Sequence, residues 1–275
     1  MRVFAPGKLV VLGEYAVLDG APALVAAVDR GVSCEVEPGD GIETPGDDRF
    51  VREALKGAPA RLYRFTDWNP VQLSDKPGFG GSAAATVAAC LAGHGHEDLL
   101  ERALAVHHRV QGSGSGIDVW ASVNGGLRVW PTGQARASVP LTAVYSGNSA
   151  KTGPRVQVYR AWKDRAGFVR DSAALLDLPL HDALKAGWRL LCSMAKRANL
   201  DYATPPLQRI VQLAEDHGGA AKPSGAGGGD VAVALIEDPE ARAQFERACA
   251  LEGFPPIPVQ ICGGARVGAH LVAKG

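Results

Sequence analysis

Apolar positions fall in short alternating or continuous runs at 3–4, 8–12, 23–29 and 32–36, which predicts a β-rich opening. Residues 37–70 mix proline, glycine and charge with a brief aromatic patch (Tyr63, Phe65, Trp68), the composition of a connection carrying one helix and a strand or two. Beyond Gly81 the period changes. SAAATVAACLAG and GHEDLLERALAVHHRVQG place apolar residues at helical spacing, the second with acidic residues in its first turn, so two helices are expected in succession. IDVWASVNGGLRVW reads as a helical turn and then a strand past Gly125 and Gly126. The second half opens with the strand LTAVYSG, continues with helices expected at 155–165, 172–176, 181–198 and 205–217, and closes with the strand DVAVALIE, a helix over 239–253 and a last strand, ARVGAHLVA. This order predicts an α+β fold in two domains, 1–135 and 136–275, the second with helices packed on a mixed sheet.

Three glycine loops punctuate the pattern, each at the end of a regular element. In PGFGGSAAA a tight glycine turn precedes a helix that begins near Ser82. A helix N-terminus offers unpaired N–H groups and about half a positive charge, and glycine lets backbone approach a ligand, so the loop suits a phosphate. It is not a Walker A loop, because no Lys-Ser or Lys-Thr pair follows a glycine. The Rossmann fingerprint matches formally (Gly78, Gly80, Ala83, with Asp98 further on), but HEDLLERALAVHHRV looks helical where that unit requires a second parallel strand.

The second loop, GSGSG, leads to Asp118, where a carboxylate can start a helix or accept a substrate proton. The third, SGAGGGD, puts Ser224 and a run of glycines before a strand, a nest that suits an anion. Lys8 follows Pro6 and Gly7 at the head of a strand; beside Asp118 its ammonium could polarise an oxygen about to attack phosphorus.

Bulk composition narrows the partners. Lys+Arg and Asp+Glu both number 29, so nothing suggests a nucleic-acid tract or a polybasic membrane patch, and a bound anion must be met by a local site. The longest uncharged apolar run near the start, 21–28, is far short of the ~20 residues of a membrane span. A cytoplasmic protein is expected. Five widely spaced cysteines without a CxxC read as buried free thiols.

In this order the motifs resemble the GHMP kinases, the superfamily of galactokinase, homoserine kinase, mevalonate kinase and phosphomevalonate kinase. APGKLVVLGEYAVLDGAPALVAAVDR resembles the first family motif, PGFGGSAAATVA the second and SGAGGGD the third, while GSGSGIDVWASVNGG resembles the segment that carries the catalytic aspartate in the mevalonate kinase branch. Within the superfamily, Glu14-Tyr15, GSGSGID and the terminal Asp230 look more like the phosphomevalonate kinases. Gly81 and Phe79 depart from the usual second motif, and only about fifty residues separate Asp29 from Gly78, fewer than relatives generally have.

The resemblance implies a ribosomal-protein-S5-like domain followed by a ferredoxin-like one, with the active site between them. It implies ATP and Mg²⁺ as cofactors: Gly78, Phe79, Gly80, Gly81, Ser82, Ala83 and Ala84 would bind the ATP phosphates, with Ser82 also on the metal. Lys8 and Asp118 would be catalytic. Glu14, Tyr15, Ser115, Gly116, Ser224, Gly225, Ala226 and Gly227 would bind the acceptor, either phosphomevalonate or a related alcohol or phosphate. An acceptor that is a phosphate monoester brings about two negative charges, and Lys76, Lys151 and Arg109 are the cations expected to meet them. Mevalonate kinase, diphosphomevalonate decarboxylase and a non-catalytic nucleotide-binding module are the alternatives. No sequence feature fixes the oligomeric state, and a homodimer stays open.

Overall fold

The computed structural model describes residues 1–68, 77–112 and 114–268. The expected β-rich opening is present, with the first two runs merged into one strand, β1 (Arg2–Leu12), interrupted by register shifts at Pro6/Gly7 and Val10/Leu12. It pairs antiparallel with β2 (Ala23–Glu37), a fifteen-residue strand that also pairs with later strands. The mixed connection supplies β3 (Gly41–Glu43), α1 (Arg49–Ala54) and β4 (Leu62–Trp68). Then come α2 (Gly81–His94), α3 (Leu99–Gln111), α4 (Ile117–Asn124), β5 (Leu127–Trp130) and β6 (Gln134–Arg136). Alanine at most inward positions of α2 lets that helix lie close on the sheet: Ala83, Ala84, Ala88 and Ala89 are buried with Val3, Ala5, Val32 and Phe65.

The second half runs β7 (Leu141–Tyr145), α5 (Thr152–Ala161), α6 (Ala166–Ala174), α7 (Leu180–Ala198), α8 (Pro205–Asp216), β8 (Ala220–Pro223), β9 (Val231–Leu235), α9 (Pro239–Leu251) and β10 (Pro256–Pro258). Its four strands are ordered β10-β7-β9-β8, and all three pairings are antiparallel, so the sheet is not the mixed one expected. Two of these strands escape pattern reading for one reason: β8 and β10 contain proline, which a sheet accepts at an edge, and both lie at the edges of this one.

The last strand also departs from expectation. Arg266–Val267, β11, pairs with Val3 and Phe4 of β1 and so joins the first sheet. Isolated bridges Val28–Ile261 and Gly125–Gly263 stitch the preceding residues to the same half. The expected second unit, 136–275, thus gives its final strand back to the first. A continuous core joins the two halves, with Leu9, Val11, Leu24 and Phe79 from one packed with Ala143, Leu184, Val231 and Ile257 from the other. The glycine loops lie along this seam.

Candidate active site

Lys8 stands just past the first register shift of β1, with its side chain only 9% exposed. Its backbone N–H donates to the Phe79 carbonyl at 2.8 Å, which ties the first glycine loop to the strand. Its ammonium lies 3.7 Å from Asp118 Oδ1. Asp118 is in the first turn of α4, two residues after the cap Gly116 (φ 75°), and its side chain remains 36% exposed. Gly80 (φ 74°) lies over the pair: a Cβ there would sit 3.3 Å from Lys8 Cγ and Cε and 3.6 Å from Asp118 Oδ2. On the other side, a Cβ on Gly225 would lie 4.0 Å from Lys8 Nζ. The first loop, the aspartate that follows the second and the third loop therefore all lie against the Lys8 side chain.

In the first loop the left-handed turn at Gly78 and Gly80 leads into α2, whose opening residues 81–83 carry the N–H groups that an α-helix leaves unpaired. Ser82 is partly exposed, with Oγ 3.4 Å from His107 Nε2. Burial holds the His107 imidazole below its ordinary value, against the pull of Asp118. The Phe79 side chain belongs to the core, so only its backbone faces the loop. One expectation for this loop needs correction, that of Ala84. The Ala84 N–H donates to the Gly80 carbonyl at 3.1 Å, because at the fourth position the helical ladder has begun, so this amide is not part of the cradle. Ala83 contributes backbone alone, its side chain being buried.

The third loop is bolted to the first half of the chain. Ser224 Oγ accepts from the Val10 N–H at 2.9 Å, and the Tyr15 hydroxyl donates to the Ala226 carbonyl at 2.6 Å. Lys222 Nζ pairs with Glu14 Oε1 and donates to the Pro223 carbonyl at 2.9 Å. Both side chains of this ion pair are sealed, at 0% and 2% exposure, and Glu14 Oε2 finds no partner among the described residues. Glu14, Tyr15 and Ser224 were expected to touch the acceptor. They instead hold the loop from behind, because each has its polar atom committed to the opposite half or buried with it. Tyr15 does so from a strained backbone (φ 62°, ψ −50°).

Asp230 closes this loop, also at positive φ (57°). Its Oδ1 accepts from the Ala150 N–H at 3.0 Å, and its carboxyl lies so close to Gly78 that a Cβ there would be 2.8 Å from Asp230 Cγ. One carboxylate thus touches both the first loop and the segment after β7. Burial raises its affinity for a proton, with Ala150, Lys8, Ser149 and Arg155 pulling the other way. Ser115 accepts weakly from the Ile117 N–H at 3.4 Å and shapes the start of α4 with Gly116. Gly227 lies against the Tyr202 ring.

Of the three cations expected near the acceptor, Lys76 lies outside the described residues. Lys151 is exposed at the start of α5. Arg109 projects outward and pairs with Glu53, so it is not available. A cation that sequence reading missed, Arg155 on α5, also meets the third loop, with its guanidinium against Gly228 and Nη1 donating to the Asp201 carbonyl. A spacing of four from Lys151 to Arg155 is about one helical turn, the local signal that could have marked it.

The arrangement combines an anion nest, a buried ammonium 3.7 Å from a half-open carboxylate, and a serine hydroxyl at the head of α2. A triphosphate with its divalent cation fits such a donor set: orphan helix amides for phosphate oxygens, and the hard hydroxyl oxygen of Ser82 for the metal. A family model described as "GHMP kinases C terminal" matches residues 176–254. The phosphomevalonate kinase of Streptomyces sp. (strain CL190) is 28% identical over 356 aligned residues, covering 93% of this chain and 95% of the relative. The mevalonate kinase of Methanothermobacter thermautotrophicus is 27% identical, covering 84% and 88%. In three dimensions the Streptococcus pneumoniae phosphomevalonate kinase, solved with phosphomevalonate and AMPPNP, shares the fold at a TM-score of 0.77 and 19% identity, over 95% of this chain and 100% of that one. Kinases match nearly its whole length and a GHMP kinase model matches residues 176–254, so the chain is similar to the GHMP kinases, and these relatives support a phosphotransferase.

Proposed function

We propose that the protein transfers the terminal phosphoryl group of ATP, with a divalent cation, to 5-phosphomevalonate. The observation that carries this reading is the Lys8–Asp118 pair at 3.7 Å, set where the nucleotide loop and the third glycine loop meet. The match to the Streptomyces phosphomevalonate kinase and the ligands of the Streptococcus structure support the choice of acceptor.

ATP supplies the activated phosphoryl group and its metal ion neutralises part of the phosphate charge; the remaining work falls to the chain. The loop at 78–83 holds phosphate oxygens by backbone N–H groups and Ser82 offers its hydroxyl to the metal. Lys8 lies where negative charge builds up on the transferring group, an electrostatic role that dominates a loose phosphoryl-transfer transition state. Asp118 orients the attacking oxygen. A phosphate monoester has its second pKa near 6 and arrives largely deprotonated, so with this acceptor Asp118 has little proton to remove. With an alcohol acceptor it would also have to serve as the base. The site is assembled from both units of the chain, 1–135 and 136–275.

A panel of acceptors in a coupled ADP-release assay tests the proposal. Turnover is expected with 5-phosphomevalonate, and Asp118→Asn, which loosens the hold on the attacking oxygen, is expected to lower kcat by about 10²-fold while ATP affinity stays within twofold. Faster turnover of mevalonate would select the second reading, a mevalonate kinase, to which the Methanothermobacter relative points. Carbon dioxide release would move the chain to the decarboxylase branch.

A further inference from the structure

We propose that Arg155 binds the far, carboxylate end of the acceptor, opposite the reacting end held at Lys8. The inference rests on the functional reading above and identifies the part of the site that recognises the acceptor's acid group.

Charge defines the need. Phosphomevalonate carries a phosphate and a carboxylate at opposite ends of a short carbon chain, and burying a carboxylate without a partner is costly. Lys8 lies beside Asp118 at the reacting end. Lys222, close by, is neutralised by Glu14 and sealed from solvent. Arg109 is spent on Glu53. Arg155 differs from all three: among the described residues it forms no ion pair, yet its positive field reaches both Asp230 and Tyr15 at the back of the third loop.

Geometry locates it. Gly228 (φ 73°) has no side chain where the Arg155 guanidinium lies, and a Cβ there would overlap it, so the loop is shaped to let this cation approach. One of the five donors of the guanidinium goes to the Asp201 carbonyl, leaving others for a planar carboxylate. Gly225 faces Lys8 and Gly228 faces Arg155. Three residues of chain span at most about 10 Å, which suits a small acid bridging the two cations along the loop.

The test compares phosphomevalonate with its primary carboxamide in the wild type, Arg155→Gln and Arg155→Lys. In the wild type the amide is expected to show kcat/KM lower by roughly 10- to 100-fold, the range for one lost charge-assisted contact. Arg155→Gln is expected to raise KM for the acid by a similar factor, with KM for ATP within twofold, and to remove the preference for acid over amide. Arg155→Lys should recover part of that preference. If Arg155→Gln lowers acid and amide turnover by the same factor, or leaves the acid KM unchanged, Arg155 only packs the loop and the proposal fails. Should Arg155→Gln not fold, as judged by its melting curve, Arg155→Met keeps the stem against Gly228 and is read by the same outcomes. A wild type that ignores phosphomevalonate but phosphorylates mevalonate would refute the choice of acceptor alone, since mevalonate carries the same carboxylate and the acid–amide comparison is then made on it.

Discussion

Replacing Lys222 by Met removes one member of an ion pair that no solvent reaches. The wild-type carboxylate already has one oxygen, Glu14 Oε2, without a hydrogen-bond partner among the described residues, so loss of Lys222 leaves the whole charge uncompensated. Breaking a buried pair this way costs about 3–5 kcal/mol. At roughly 2–4 °C per kcal/mol for a chain somewhat under this size, Tm should fall by roughly 6–20 °C. Urea unfolding followed by the fluorescence of the five tryptophans gives the free energy directly. The double variant Glu14→Leu/Lys222→Met, apolar on both sides, should regain most of the loss, because an apolar pair of similar volume is often as stable as the ionic one. A single variant within about 1 kcal/mol of wild type would refute the reasoning. So would a double variant no better than the single, since shape rather than charge would then explain the loss.

Two further predictions concern the meeting point of the loops. Asp230→Asn keeps an acceptor for the Ala150 N–H and tolerates the left-handed backbone at 230, while removing a carboxyl whose proton affinity burial raises. A carboxyl raised in the folded state costs stability as pH rises through its folded pKa, so the variant should melt at or above the wild-type temperature at pH 7, with the difference vanishing in acid. A clearly lower melting temperature at pH 7 would show that the charge itself is needed. Gly80→Ala places a Cβ 3.3 Å from Lys8 Cγ and Cε at φ 74°, which should cost about 1–2 kcal/mol of stability and lower kcat more than it raises KM for ATP; steady-state kinetics beside a melting curve separate the two effects.

What the sequence could show depended on distance along the chain. The glycine loops, Lys8 and Asp118 were legible because their chemistry is local: a glycine turn ahead of a helix announces free N–H groups within a few residues. The strands at 8–12 and 231–235 were legible for the same reason, through their apolar runs. Partners two hundred residues apart were not. Glu14 reads as a site residue beside Tyr15 in a motif, and only its contact with Lys222, 208 positions later, turns it inward. Arg109 and Arg155 look alike as basic residues on predicted helices. Their difference lies in what each helix face meets, a surface glutamate in one case and a glycine loop in the other. Proline hid β8 and β10, whose edge positions no local pattern encodes.

The return of β11 to the first sheet has a consequence for how the protein is made. During synthesis the strands from β1 to β6 emerge first, yet the ladder from β1 to β11 at Val3 and Phe4 can form only once Arg266 and Val267 follow. At ~5–20 residues per second the roughly 130 residues between β6 and β11 take about 7–26 s to translate. For that interval the nascent amino-terminal half carries an open β edge, the kind of surface that pairs with other chains. A fragment ending at residue 135 would carry the same edge permanently. Slower translation would lengthen the time for which that edge waits for β11.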